Sequence, residues 1–458
     1  GSENTAVGAT ALDANTTGSF NTTTGYQSLT SNTTANACSA FGYNAARNNT
    51  TGANNTGVGY QALEANTTGS QLVALGSRAL ESNTTAANNL AIGYSAVRET
   101  TTGANNIGIG TDALQQNTTG ANHIAIGVLS LKANTTGSDN LAIGYSTLEK
   151  NTTGIRNVGV GSNALEDNVT GNYNVAVGYD VLRETTTSNN TGVGFEALKN
   201  NTTGDQNTAV GQGVLDANTT GRRNTAIGIQ ALTSNTTANE NTAVGRLALF
   251  TNTTGEDNVA VGALALFSNA TANENTAVGY QALNANTAAK NTAVGYNALV
   301  ASTSGDRNTA VGYGALDANI TGTLNTAVGY NSMSNGGTSA EQNSALGMET
   351  LRDITSGQVN TAIGRSAGEQ ITTGTNNSFI GRNAGRSGSP GGEITTGSNN
   401  IILGDQNISA LFCADTSISS SDARDKTDVT DFTKGLDWIK ALRPVTYRWD
   451  KRAWYGTD

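Results

Sequence analysis

The chain has 458 residues, of which 36% are hydrophobic, 5% aromatic and 13% charged, with 56 Gly, 2 Pro, 2 Cys and a formal charge of -10. So little apolar and aromatic material excludes a large conventional core. The scarcity of proline and charge argues against a disordered chain, and the lack of any basic cluster excludes nucleic acid as a partner.

The chain opens on a unit, Asn4 to Gly18, that almost everything downstream copies. Taking the Gly of Ala-Val-Gly as position zero, Gly8, Gly25, Gly42 and Gly59 begin a series with a 17-residue period. It continues to Gly404 through 24 copies, with one-residue slips reaching Gly194, Gly295 and Gly347. Gly1 stands where Gly18 stands one period later, so the reading is of a chain that begins inside a repeat, with further chain expected upstream. A short, strict period belongs to stacked units that cannot bury an apolar face alone.

β-Branched residues alternating with small ones predict a strand around Thr5-Ala6-Val7-Gly8 and a second short extended piece at Ala11-Leu12. Asn15-Thr16-Thr17-Gly18 is expected to turn the corner, Asn and Gly being tolerant of left-handed backbone. The fold class is all-β, a parallel β-solenoid or β-roll of about 24 coils of 17 residues over 1–410. Coils spaced roughly 4.8 Å apart give a rod on the order of 110 Å long.

Stacking places like residues in columns. Val7, Val58, Ile92 and Ile126 are expected to form one core column, and Leu12, Leu63, Leu80 and Leu114 another. Four residues before the reference Gly, Asn stands in 21 of 24 copies, among them Asn4, Asn21, Asn55, Asn106 and Asn140, which predicts an internal amide ladder. Cys38 and His123 occupy the same position and are read as substitutions within that ladder rather than as reactive or metal-binding groups. Small residues on the other strand face would let another backbone approach, so several copies are expected to share an axis.

Tyr follows the reference Gly in ten copies, including Tyr26, Tyr43, Tyr60, Tyr280 and Tyr296; packing in a column is preferred to sugar stacking. The Asn-Thr-Thr triplets are explained by corner geometry rather than as glycosylation sites. Carboxylates fall at variable positions, so no acid and base pair for glycoside cleavage emerges, and no cofactor is expected. Loops at Ser334 to Gln342 and Arg386 to Glu393 are where the ladder is interrupted.

After about Ala410 the repeat ends. Trp438, Trp449 and Trp454 all lie in the last 48 residues, charges of both signs become dense, and 411–458 reads as a separate small α+β module. Lys434 to Leu442 has apolar residues at helical spacing and stops before Pro444, with an extended Val445 to Trp449 behind it.

The run Ser421-Asp422-Ala423-Arg424-Asp425-Lys426, followed by that helix and Leu442-Arg443-Pro444-Val445, resembles the opening of the endosialidase-type intramolecular chaperone of phage tail fibres and tail spikes. The resemblance implies a self-cleaving dyad, with Ser421 as nucleophile, Lys426 as general base and the bond between Ser420 and Ser421 as the one cut. A lysine acts as a base when burial lowers its pKa. Asn-Thr-Ala-Val-Gly-Tyr with Asn-Thr-Thr-Gly also resembles the Ala-Ile-Gly repeats of trimeric autotransporter adhesin heads.

Together the resemblances imply a homotrimeric fibre of a virion tail or cell surface, joined upstream to a particle or membrane anchor. Its expected partner is a cell-surface glycan or protein receptor. A bacterial surface adhesin is the alternative, and an ice-binding solenoid, suggested by the rows Thr16-Thr17, Thr67-Thr68 and Thr118-Thr119, is a third.

Overall fold

A computed structural model describes residues 1–335 and 339–410. Gly1–Asn407 forms one unit, in which a three-residue strand occurs once per coil, from Thr5–Val7 to Ile401–Leu403, giving a 24-stranded parallel sheet. Each strand pairs with its copy in the next coil, so that Ala6 faces Thr23, Ala142 faces Gly159 and Ala327 faces Ala345. The irregular spacings leave this register intact: Val177 faces Val193, Val278 faces Val294, and Ile380 faces Leu403 across the longest insertion. Because like residues meet in the strand, a slip would cost every column at once, and the turns absorb the length differences instead.

The reference Gly is required at its position. Gly8 has φ of 136°, and a Cβ placed on it would lie 2.4 Å from the carbonyl oxygen of Gly25 in the next coil. Either fact alone would disfavour a side chain.

Beyond that Gly the predicted extended piece at Ala11-Leu12 is absent, and the chain turns. Thr10 and Leu12 have φ of 54° and 56°, and the same left-handed pair recurs as Gln27 with Leu29 and Gln61 with Leu63. Left-handed backbone costs an L residue roughly 1–2 kcal/mol. The pair therefore costs roughly 2–4 kcal/mol, offset by burying a Leu side chain, about 1.5–3 kcal/mol, together with hydrogen bonds from the turn to the next coil. Leu29, Leu63, Leu80 and Leu114 are fully buried, as their column requires. The turn is also bonded between coils, the Leu12 N–H donating to Ser28 O at 3.1 Å and Ala14 N–H to Thr30 O at 3.0 Å.

The core column assigned to Val7 is reversed. Val7 is 57% exposed and Val58 38%, Ile92 and Ile126 are half-buried, and the preceding small residue points inward: Ala40, Ala74, Ala91 and Ala125 have no exposure. Strand residues alternate faces. The inward strand position is narrow and is filled by Ala or Gly in most coils, by Thr23 in one and by Ile402 in the last, while the Val position faces out. The small residues thus serve the chain's own core and do not form a surface for close approach of another backbone.

The corner is also built differently from the expectation. Neither Asn15 nor Gly18 adopts left-handed backbone, and the left-handed residue lies further on, at Phe20 with φ of 62°. Ala35 and Ala86 replace the corner Gly without disturbing the coil. What fixes Asn at the corner is its side chain, which points inward.

One coil exchanges its large and small core residues. Phe379 stands where other coils have Ala, and Gly368 and Gly385 stand where they have Leu. A Cβ on either glycine would lie 2.7 and 2.5 Å from the Phe379 ring, so the ring fills the space of the missing leucines.

Candidate functional site

Two columns of amides line the interior. In the first, at the position of Asn4, Oδ1 accepts the backbone N–H of the counterpart in the next coil and Nδ2 donates to the corner carbonyl of that coil, except at Asn275, whose Nδ2 is left without a partner. Asn157 N–H donates to Asn140 Oδ1 at 2.9 Å and Asn140 Nδ2 to Gly154 O at 2.8 Å; Asn21 N–H donates to Asn4 Oδ1 at 2.9 Å. Asn21, Asn55, Asn106 and Asn140 are buried, and Asn4, in the terminal coil, is half-buried.

The second column runs through the corner. Asn32 Nδ2 donates to Asn15 Oδ1 at 3.0 Å, Asn66 to Asn49 at 2.7 Å and Asn83 to Asn66 at 2.8 Å. Sequence reasoning missed this ladder because turn chemistry already accounted for an Asn there. Its signal was present, since Asn recurs at that position even where the Gly after it is replaced.

His123 reproduces the amide it replaces. Its Nδ1 accepts the N–H of Asn140 at 3.3 Å, as an Asn oxygen would, and its Nε2 lies 2.7 Å from Gly137 O, as an Asn nitrogen would. That pattern requires a neutral ring with the proton on Nε2. Burial pushes the imidazole pKa down, opposed by the bond to Gly137 O and by the charge of Asp139.

Because the folded pKa lies below the ordinary value of about 6.5, the native state binds this proton less well than the unfolded chain. The rung is fully effective above that pH and loses stability as pH falls through and below it. Melting from pH 7.5 to 5 should therefore fall more steeply for the natural chain than for His123→Asn; parallel profiles would contradict the assignment.

Cys38 is likewise buried, its thiol donating to Gly52 O at 3.3 Å, and burial raises its pKa, which disfavours the reactive thiolate. The proposed partners in chemistry, Ser421 and Lys426, and the predicted Lys434 to Leu442 helix lie outside the described residues.

The outer face carries the remaining columns. Tyrosines after the reference Gly stack on one another, Tyr26 on Tyr43 at 5.3 Å and Tyr296 on Tyr313 at 5.1 Å between ring centroids. Beside them runs the outward aliphatic column, in which Leu75, Ile143, Val177 and Ile227 are exposed. In the Thr rows, the first hydroxyl is committed to the next coil, Thr16 Oγ1 donating to Thr33 O at 2.8 Å and Thr67 Oγ1 to Thr84 O at 3.0 Å. The second row, of Thr17 and Thr68, is exposed, whereas most of the first row, such as Thr67, is half-buried.

At the insertion, the buried carboxylate of Glu369 is held between Arg352 and Arg386, the latter at 2.8 Å. Arg352 also holds the Asp353 carboxyl below its usual range through a hydrogen bond. The loop is pinned from inside, the Ser389 hydroxyl accepting from Gly385 N–H at 3.0 Å and donating to Arg386 O at 2.9 Å. Among the described residues, no group of His, Cys, Asp or Glu is arranged to hold a metal ion, and no helix is long and apolar enough to cross a membrane.

A stack of single-strand coils closed by two amide ladders defines the described part as a parallel β-solenoid with structural columns inside and apolar columns outside. Residues 421–456 match the family model described as chaperone of endosialidase. No curated protein matches the chain. A solenoid followed by an endosialidase-type chaperone segment makes this a tail-fibre-like structural protein. The match takes in both Ser421 and Lys426.

Proposed function

We propose that the chain is the shaft and attachment surface of a homotrimeric fibre on a phage or phage-like particle. The observation that carries this reading is the joining of a 24-strand solenoid to a chaperone-of-endosialidase match in one chain. Phage-type fibres of this design place the assembly element behind the shaft.

The outward aliphatic column supports assembly with further copies. Val7, Leu75, Ile143, Val177, Ile227 and Leu346 are between 36% and 57% exposed along one line of the solenoid. An apolar stripe of this extent marks an interface. Two further copies satisfy it, since the identical stripe on each chain closes around a threefold axis. Three equivalent faces then turn weak contacts with a cell-surface glycan or protein into firm attachment by raising effective concentration.

The purified full chain should adsorb saturably to at least one member of a panel of bacterial cells and be displaced by its own unlabelled form. A chain that adsorbs to none of them would remove the attachment role.

A further inference from the structure

We infer that the tyrosine column contains two binding slots for a flat ring of the pyranose class, one at Tyr60–Ser77–Tyr94 and one at Tyr145–Ser162–Tyr179. The inference rests on the attachment reading and gives it a site.

An unbroken tyrosine column is a poor stacking surface. From Tyr280 through Tyr296 and Tyr313 to Tyr330 the centroids are 5.1 to 5.4 Å apart with interplanar angles of 6° to 18°, so neighbouring rings cover each other's faces. Such a column offers solvent only ring edges and hydroxyls. The column after the reference Gly is interrupted, however, and twice the interruption is a single serine between two tyrosines.

At those points the flanking rings have no ring partner on the serine side. Tyr60 stacks on Tyr43 and Tyr179 on Phe195, each on the side away from the serine. Among the described residues no ring stacks on Tyr94 or Tyr145, whose column neighbours are Ser77 with Thr111 and Val128 with Ser162. The coils carrying each trio are in continuous register. Two coil spacings place the flanking rings about 9.6 Å apart. A ring inserted between them therefore sits about 5 Å from each wall, the spacing the intact column already uses. Each slot is a ladder with one rung missing.

The surroundings select the occupant. Arg78 and Asn163 follow the serines on the turn side, Asn163 Nδ2 donating to Asp180 Oδ1 at 2.9 Å, and the serine itself stands between the two tyrosine positions. A pyranose has C–H faces to lie against two aromatic rings and peripheral hydroxyls for the serine and the polar edge. The second slot repeats the first five coils on, a separation of about 24 Å, so one extended polysaccharide can enter both.

The test uses the full chain and a panel of immobilised methyl hexopyranosides and their oligosaccharides. The natural chain should bind at least one member. Ser77→Tyr with Ser162→Tyr completes the column and should lower that binding at least tenfold. The four-tyrosine run at Tyr280 to Tyr330 shows that the filled column is compatible with the fold. Adding Tyr296→Ser to the filled variant removes one rung between Tyr280 and Tyr313 and should restore binding. Unchanged binding in the filled variant would overturn the slots and leave glycan attachment standing. Adsorption to cells with no pyranoside bound would also overturn the slots, and loss of both would overturn the attachment reading with them.

Discussion

Asn157→Asp is expected to destabilise the stack by about 3 kcal/mol or more, the scale of a buried charge left without a partner. The change is isosteric and replaces one nitrogen by oxygen. Asn157 is fully buried, its Oδ1 accepting the Asn174 N–H at 3.0 Å, while its Nδ2 donates to Gly171 O at 2.8 Å and to Asn140 Oδ1 at 3.2 Å. A carboxylate keeps the first bond and turns both others into contacts between acceptors.

The damage should be local, since solenoid stability is carried between neighbouring coils. Amide exchange should accelerate first around Asn140, Asn157 and Asn174. Asn105→Asp, in the exposed outer row where Asn105 Nδ2 reaches Asn122 Oδ1 at 3.1 Å, is the control and should stay within about 0.5 kcal/mol. Equal effects at the two sites would show that the inner amides are not what holds the coils together.

Phe379→Ala should cost about 3–5 kcal/mol, the usual range for emptying a buried aromatic site. The ring has no exposure and occupies the space that glycines at 368 and 385 leave. Gly368 has φ of 58°, close to the 56° of Leu12 and the 53° of Leu114, so its backbone already suits leucine.

Gly368→Leu alone should therefore destabilise, because its Cβ would lie 2.7 Å from both the Phe379 ring and Leu351 Cδ2, of which only the second, a flexible side-chain end, can move aside. The same substitution in the Phe379→Ala background should recover much of the loss by recreating the Ala and Leu pairing of the other coils. A double-mutant cycle in denaturant reads this change of sign directly. If Gly368→Leu were equally harmful in both backgrounds, the two sites would not share one volume.

Much of this fold is legible in the period. A fixed Gly, an Asn four residues before it and a Leu four residues after it each predict a column, and Gly8, Asn21 and Leu63 occupy those columns. The facing of the strand was not legible. Thr5-Ala6-Val7 reads equally well with either side inward, and hydropathy favours Val, whereas the narrow coil takes a small residue there in most copies.

The left-handed pair at Thr10 and Leu12 was hidden for a related reason. Leu and Thr carry no signature of such backbone, which is offset in the fold by the burial of Leu and the bonds between coils. His123 and Cys38 were legible as ladder substitutions, because their position in the repeat outweighs their chemistry. The slots at Ser77 and Ser162 needed the ring stacking. In sequence, a serine between tyrosines 17 residues away on either side is unremarkable.

Small-angle scattering of the purified chain tests the central claim most directly, since it reports mass and extension together. The account predicts three times the 46.6 kDa chain mass and a longest dimension on the order of 110 Å or more, from 24 coils at strand spacing. A particle with the mass of a single chain, or one much shorter than the stacked coils require, would contradict it.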